Sequence, residues 1–103
     1  MKRLIVVRHG KSSWKHQVPD DERPLKKRAL KDAKAVLGIF DTFFKQNIDS
    51  GSAMFWSSPA TRAHETAKIF KKKLGIKDEN FQVKKALYTF NSRELKNIIC
   101  SAP

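Results

Sequence analysis

The chain predicts an α/β fold, with a mostly parallel sheet carrying helices on its faces in three α/β/α layers. Three observations point there. Short apolar runs (Leu4-Ile5-Val6-Val7, Ala53-Met54-Phe55-Trp56 and Phe81-Gln82-Val83-Lys84) alternate with longer segments whose apolar residues recur every three or four positions. Proline, glycine and serine clusters punctuate the boundaries between them. The resulting order, β-α-β-α-β-α, favours right-handed crossovers between parallel strands.

The first run is four consecutive apolar residues, three of them β-branched, which reads as a strand buried on both faces over residues 4–7. A polar loop over residues 15–23 follows, with Pro19 and three acids, Asp20, Asp21 and Glu22. Pro24 is suited to open a helix, where its missing N–H costs little. Leu25, Ala29, Ala33, Val36, Leu37, Phe40, Phe43 and Phe44 then form one apolar stripe on a helix ending near Asn47.

Asp49-Ser50-Gly51-Ser52 marks a turn, and residues 53–56 read as a second buried strand. Ser58 is placed to cap the next helix and Pro59 to be its first residue. That helix runs to Leu74 with Ala63, Ala67, Phe70 and Leu74 inward. Lys71, Lys72 and Lys73 complement its negative end, and Gly75 supplies a left-handed stop. Residues 81–84 alternate as an edge strand does. Asn91-Ser92-Arg93-Glu94 has the pattern of a capping box, with Phe90 and Leu95 as its hydrophobic staple.

At 103 residues and 40% hydrophobic content, the chain fits one domain with one core. No run is long enough to cross a bilayer, and no secretory signal pattern opens the chain. Cys100 is the single cysteine, so a reducing cytoplasm is the expected compartment. The 22 Lys and Arg against 10 Asp and Glu leave a net charge of +12. Such a balance favours phosphorylated substrates or acidic partners. Nucleic-acid binding without sequence preference ranks well behind, because the lysines scatter over helix surfaces with no zinc-ligand spacing or aromatic-glycine pattern beside them.

Chemistry concentrates where the first run stops. Arg8 offers a planar fork of donors for phosphate or carboxylate. His9 is an imidazole able to act as nucleophile or base near neutral pH, and Gly10 allows the backbone to pass closely. At the carboxyl end of a central strand these residues would face the crevice where α/β proteins bind ligands. Gly10-Lys11-Ser12 is not the end of a phosphate-binding P-loop, since that motif needs glycine where Ile5 stands. A second cluster, Ser57-Ser58-Pro59-Ala60-Thr61-Arg62-Ala63, puts Arg62 on the first turn of the helix after strand two. In one parallel sheet Arg62 would reach the same edge as Arg8 and His9, with the helix N-terminus adding its pull on an anion.

These residues resemble the histidine phosphatase superfamily. Arg8-His9-Gly10-Lys11-Ser12-Ser13-Trp14, Asp20-x-x-Arg23-Pro24-Leu25, Ser57-Ser58-Pro59-x-x-Arg62-Ala63 and Ala86-Leu87-Tyr88 are similar, in order, to the SixA-like phosphohistidine phosphatases. The resemblance implies a phosphoglycerate-mutase-like fold incomplete at its C-terminus, with residues 1–103 forming one partial domain. It makes His9 the nucleophile that accepts the phosphoryl group and Arg8, Arg23 and Arg62 the phosphate-binding arginines. No metal or cofactor is expected, because the arginines supply the positive charge. The implied substrates are a phosphorylated protein or a small phosphorylated compound, with inorganic phosphate as product.

Two departures accompany the resemblance. The family's second histidine, in a Gly-His-Asn-Pro type motif after a fourth strand, has no counterpart here: His16 falls in a polar loop and His64 on a helix surface. The resemblance implies that the strand carrying it lies between strands one and two. Ala29 also stands where the family pattern has glycine. The alternative reading is therefore an impaired fragment or pseudoenzyme that binds phosphate or an acidic partner without turnover. For any one of the arginines, a salt bridge to Asp20, Asp21 or Glu22 is the simpler role.

Overall fold

A computed structural model describes residues 4–15, 17–49, 51–89 and 91–102. Three α-helices and two short parallel strands build it: α1 (Lys27–Asn47), β1 (Phe55–Ser57), α2 (Thr61–Leu74), β2 (Phe81–Val83) and α3 (Ser92–Cys100). None of the described helices is long and apolar enough to cross a membrane.

Helix α1 buries Ala29, Ala33, Leu37 and Phe44, a four-, four- and seven-residue spacing that keeps one face inward. Val36 and Phe43 lie on its flanks and are exposed. The helix begins at Lys27 rather than Pro24. Residues 11–13 and 24–26 instead lie antiparallel, Ser13 N–H donating to Pro24 C=O at 2.8 Å and Lys26 N–H to Lys11 C=O at 2.7 Å. Those backbone bonds hold residues 24–26 extended, and extended chain also suits the residue before a proline.

Helix α2 likewise starts later than the Ser58-Pro59 pair predicts. Ser58 Oγ accepts from Ala60 N–H at 3.3 Å, a local turn that uses the hydroxyl before the helix begins at Thr61. Its buried stripe is Arg62, Thr66, Phe70 and Leu74, with Ala63 and Ala67 only half-buried. Gly75 ends it at φ +69°, the left-handed conformation foreseen for it. Phe40 of α1 meets Phe70 of α2 with ring centroids 6.3 Å apart. Around that contact Ala33, Leu37, Phe44, Phe70, Leu74 and Ile76 form the core.

The sheet departs furthest from expectation. β1 pairs with β2 in parallel, Phe55 opposite Phe81 and Ser57 opposite Val83. Residues 4–7 join no strand among the described residues, and Leu4, Ile5, Val6 and Val7 are 66, 40, 76 and 45% exposed. The expected doubly buried strand is thus an exposed segment with no assigned secondary structure. A strand is completed by its neighbours' N–H and C=O groups, and no described segment offers them to this one. β1 itself is shifted two residues from the predicted start, with Ala53 packing on the core ahead of it.

Asn91 caps α3 as predicted, its side-chain oxygen accepting from Arg93 and Glu94 N–H. The reciprocal half of the box is rerouted: Thr89 Oγ1 accepts from Asn91 N–H at 3.0 Å and donates to Glu94 Oε2 at 2.7 Å. The predicted staple involves Phe90, which lies outside the described residues.

With no ladder on residues 4–7, the segment that follows is held by helices. Gly10 N–H donates to Thr66 Oγ1 on α2 at 3.0 Å. On its other side Gly10 packs against α1, where an added Cβ would stand 2.8 Å from the Ala29 Cβ. We expect Gly10→Ala to destabilise the fold by about 1–3 kcal/mol through overpacking. In an Ala29→Gly background, which alone costs about 0.5–1 kcal/mol of helix stability, that penalty should shrink. Denaturant melts of the four proteins check this, and strict additivity would show that the two residues do not meet.

Candidate functional site

Arg8, His9, Arg23 and Arg62 all line one groove of about 1090 Å³. The two clusters that sequence reading singled out, more than fifty residues apart in the chain, thus open onto the same space. The groove's apolar part is supplied by Ile5, Val6 and Val7 on one hand and Val36, Phe40 and Ile69 on the other.

His9 is half-buried, and its Nδ1 lies 2.7 Å from the Gly10 carbonyl oxygen. A carbonyl oxygen only accepts, so Nδ1 carries the proton and Nε2 keeps a lone pair in the neutral ring. The bond fixes which nitrogen can act as a nucleophile. Gly10, between α1 and α2, thereby orients the neighbouring ring as well as anchoring its own segment. Thr66 completes the chain of contacts, its hydroxyl donating to the Arg62 carbonyl at 2.8 Å. The His9 loop and the Arg62 turn are therefore joined through one side chain.

The three arginines differ in environment. Arg8 is exposed and makes no hydrogen bond or ion pair among the described residues. Arg23 and Arg62 are each only 7% exposed, and buried guanidinium groups require partners. Both find the same one. Arg23 Nε donates to Asp20 Oδ1 at 3.2 Å and its Nη1 to Ser12 Oγ at 2.6 Å. Arg62 Nη2 donates to Asp20 Oδ2 at 2.9 Å while its Nη1 reaches the Asp20 backbone carbonyl. Tyr88 OH donates to Oδ2 as well, at 2.8 Å. Above Arg23 lies the exposed indole of Trp14, with the guanidinium carbon 3.5 Å from the ring centroid, a cation–π contact.

Among the described residues, the salt-bridge alternative therefore holds for Arg23 and Arg62 but not for Arg8, and it coexists with their place in the groove. Asp20 stands in the Asp20-x-x-Arg23-Pro24-Leu25 motif, which sets it apart from Asp21 and Glu22, but sequence reading assigned it no role beyond a salt bridge. Ser12 and Tyr88 also stand in the motif segments, and like Thr66 they received no role there, since each acts through a partner distant in the chain. Hydrogen bonds from Tyr88 first, then from Arg62 and Arg23, hold the Asp20 carboxyl at about 2, well under its ordinary value. The same Asp20 bond pushes the Tyr88 hydroxyl above its usual range.

His64 does not join the groove. His64 is half-buried on α2 with its ring centroid 6.0 Å from that of Phe81. His16 lies outside the described residues. No three His, Cys, Asp or Glu side chains gather into a potential metal site among the described residues.

Comparison with known proteins follows the same line. The family model for the histidine phosphatase superfamily (branch 1) matches residues 4–94. No curated protein matches. Among solved structures, the chain is similar to a "putative phosphohistidine phosphatase SixA" from Agrobacterium tumefaciens, with TM-score 0.73, 17% identity, and 92% of this chain and 58% of that one covered. The protein of the same description from Nakamurella multipartitia matches with TM-score 0.62 and 19% identity, covering 92% of this chain and 48% of that one. At such identities the likeness shows the fold, and the chain spans about half the length of these structures.

The Asp20 contacts make a prediction about acid. Because the folded carboxyl titrates below its unfolded value, its stabilisation is fully present above pH 3.8 and is lost as pH falls toward about 2. Asp20→Asn should therefore melt below the unsubstituted chain at neutral pH, and the gap should close across that window. Thermal melts followed by circular dichroism at a series of pH values check it; a gap independent of pH would contradict the assignment.

Proposed function

The chain belongs to the histidine phosphatase superfamily, and from that premise we propose that it handles a phosphoryl group in the Arg8–His9–Arg23–Arg62 groove. The observation that carries the reading is the convergence of His9, its Nδ1 bonded to the Gly10 carbonyl, and three guanidinium groups on one space. Phosphoryl transfer needs mainly in-line placement and positive charge around the equatorial oxygens. The arginines provide the charge. The Nε2 lone pair of His9 attacks phosphorus as the bond to the leaving group breaks, and that group departs with the bonding pair and takes up a proton from solvent. Water then attacks the phosphohistidine, releasing inorganic phosphate and returning the lone pair to Nε2.

The proposed substrates are a phosphohistidine-bearing protein or a small phosphomonoester. A histidine leaving group fits this groove well, since an imidazole departs with less help from a proton donor than an alkoxide does. One observation favours a second reading, phosphate binding without turnover: among the described residues, no second histidine lines the groove beside His9 to serve the leaving group.

Arg8 separates function from folding. Being exposed and unpaired among the described residues, its replacement by alanine should leave the melting temperature within the scatter of surface substitutions, about 0.5 kcal/mol in stability. Phosphate release from a phosphohistidine peptide should fall by about 10²–10³-fold, the usual cost of losing one oxyanion partner. His9→Ala should abolish the acid-labile phosphoenzyme altogether. Equal phosphate release from His9→Ala and the unsubstituted chain would overturn the nucleophile assignment, and phosphate binding with no release from either would establish the second reading.

A further inference from the structure

We propose that Asp20 is a positioning residue for the anion site, holding the Arg23 and Arg62 guanidinium groups in a shared arrangement that a phosphoryl group can then enter. The inference rests on the phosphoryl-binding reading above and assigns a role within it to a carboxylate that stands in the Asp20-x-x-Arg23-Pro24-Leu25 motif with no role of its own.

Both oxygens of Asp20 are committed, Oδ1 to Arg23 and Oδ2 to Arg62 and Tyr88. Each guanidinium engages two of its N–H groups in these bonds and those to Ser12 and the Asp20 carbonyl. A guanidinium carries five such donors, so both retain donors for a second anion. Arginine and tyrosine side chains from separate segments, Arg23 after the 3-10 turn at Asp20–Glu22, Arg62 on α2 and Tyr88 after residues 85–87, meet on this one group. Long side chains held beforehand lose less freedom when a ligand arrives, so binding gains from their fixed orientation. The partial exposure of the Asp20 side chain, 38%, places it at the rim of the cluster while both arginine side chains are 9% exposed.

A carboxylate beside a phosphate site has two opposite expectations. As a mere neighbouring charge it would repel the anion, and its removal would tighten binding. As a positioning residue it aids binding, and its removal loosens the site despite the gain in positive charge. The sign of the change decides between them.

The test is calorimetric titration of the full chain with inorganic phosphate at fixed ionic strength, together with the ¹⁵N-resolved Nε–H resonance of Arg23. Asp20→Asn should weaken phosphate binding by about tenfold, the scale of one charge-assisted contact, and should broaden or shift the Arg23 resonance toward that of a free side chain. Tyr88→Phe, which removes one hydroxyl and keeps the ring, should weaken binding by a smaller factor in the same direction. Unchanged or tighter phosphate binding by a folded Asp20→Asn overturns the inference alone. Should that variant fail to fold, unchanged affinity and an unchanged Arg23 resonance in Tyr88→Phe do so. Absence of saturable phosphate binding by the unsubstituted chain would instead overturn the phosphoryl-binding reading. In that case an Arg23 resonance undisturbed by Asp20→Asn would remove the positioning role as well.

Discussion

Gly10 is the point on which the arrangement depends. It touches α1 through Ala29 and α2 through Thr66, and there is no room at that contact for a side chain. Residues 4–7 have no described strand to pair with, so this contact and the Ser13–Pro24 and Lys26–Lys11 bonds tie the His9 segment to the rest. Its carbonyl also settles the tautomer of His9. One glycine therefore connects helix packing to the chemistry of the neighbouring imidazole. Its small size is required by the helix beside it, whereas the sequence suggested close passage of a ligand.

Charge explains the second layer of organisation. A chain with net charge +12 has cations in excess, yet two of them, Arg23 and Arg62, are almost fully buried. Removing a guanidinium from water is tolerated when hydrogen-bonding anions and carbonyls replace the solvent. Asp20 meets that need for both arginines together, and Trp14 covers the face of one of them. Arg8, in contrast, stays in solvent and needs no partner. The groove thus combines two preset arginines with one adaptable arginine.

Much of the helical architecture was legible in the residues. The α1 stripe through Ala29, Ala33, Leu37 and Phe44, the Asn91 cap and the Gly75 stop are all short-range features, decided within one or two turns. The helix starts were less legible. Pro24 and Ser58 are good opening residues in isolation, and each was drawn into a different local bond, the first to Ser13 and the second to Ala60. The apolar run at residues 4–7 likewise announces a preference for burial. Whether a partner strand is there to satisfy it is a question about distant chain.

The order of motifs from Arg8-His9-Gly10 through Arg23 to Arg62 and Tyr88 was sufficient, by itself, to identify the family, the candidate nucleophile and the arginines around it. Tertiary structure alone decided which acid those arginines share and what holds the imidazole. The Asp20–Arg62 pair spans 42 positions and the Gly10–Thr66 bond 56. Spacing in a sequence encodes what lies on one face of one element. Contacts between elements depend on how those faces pack, and which of Asp20, Asp21 and Glu22 would pair with Arg62 was open until α2 came to rest against Asp20.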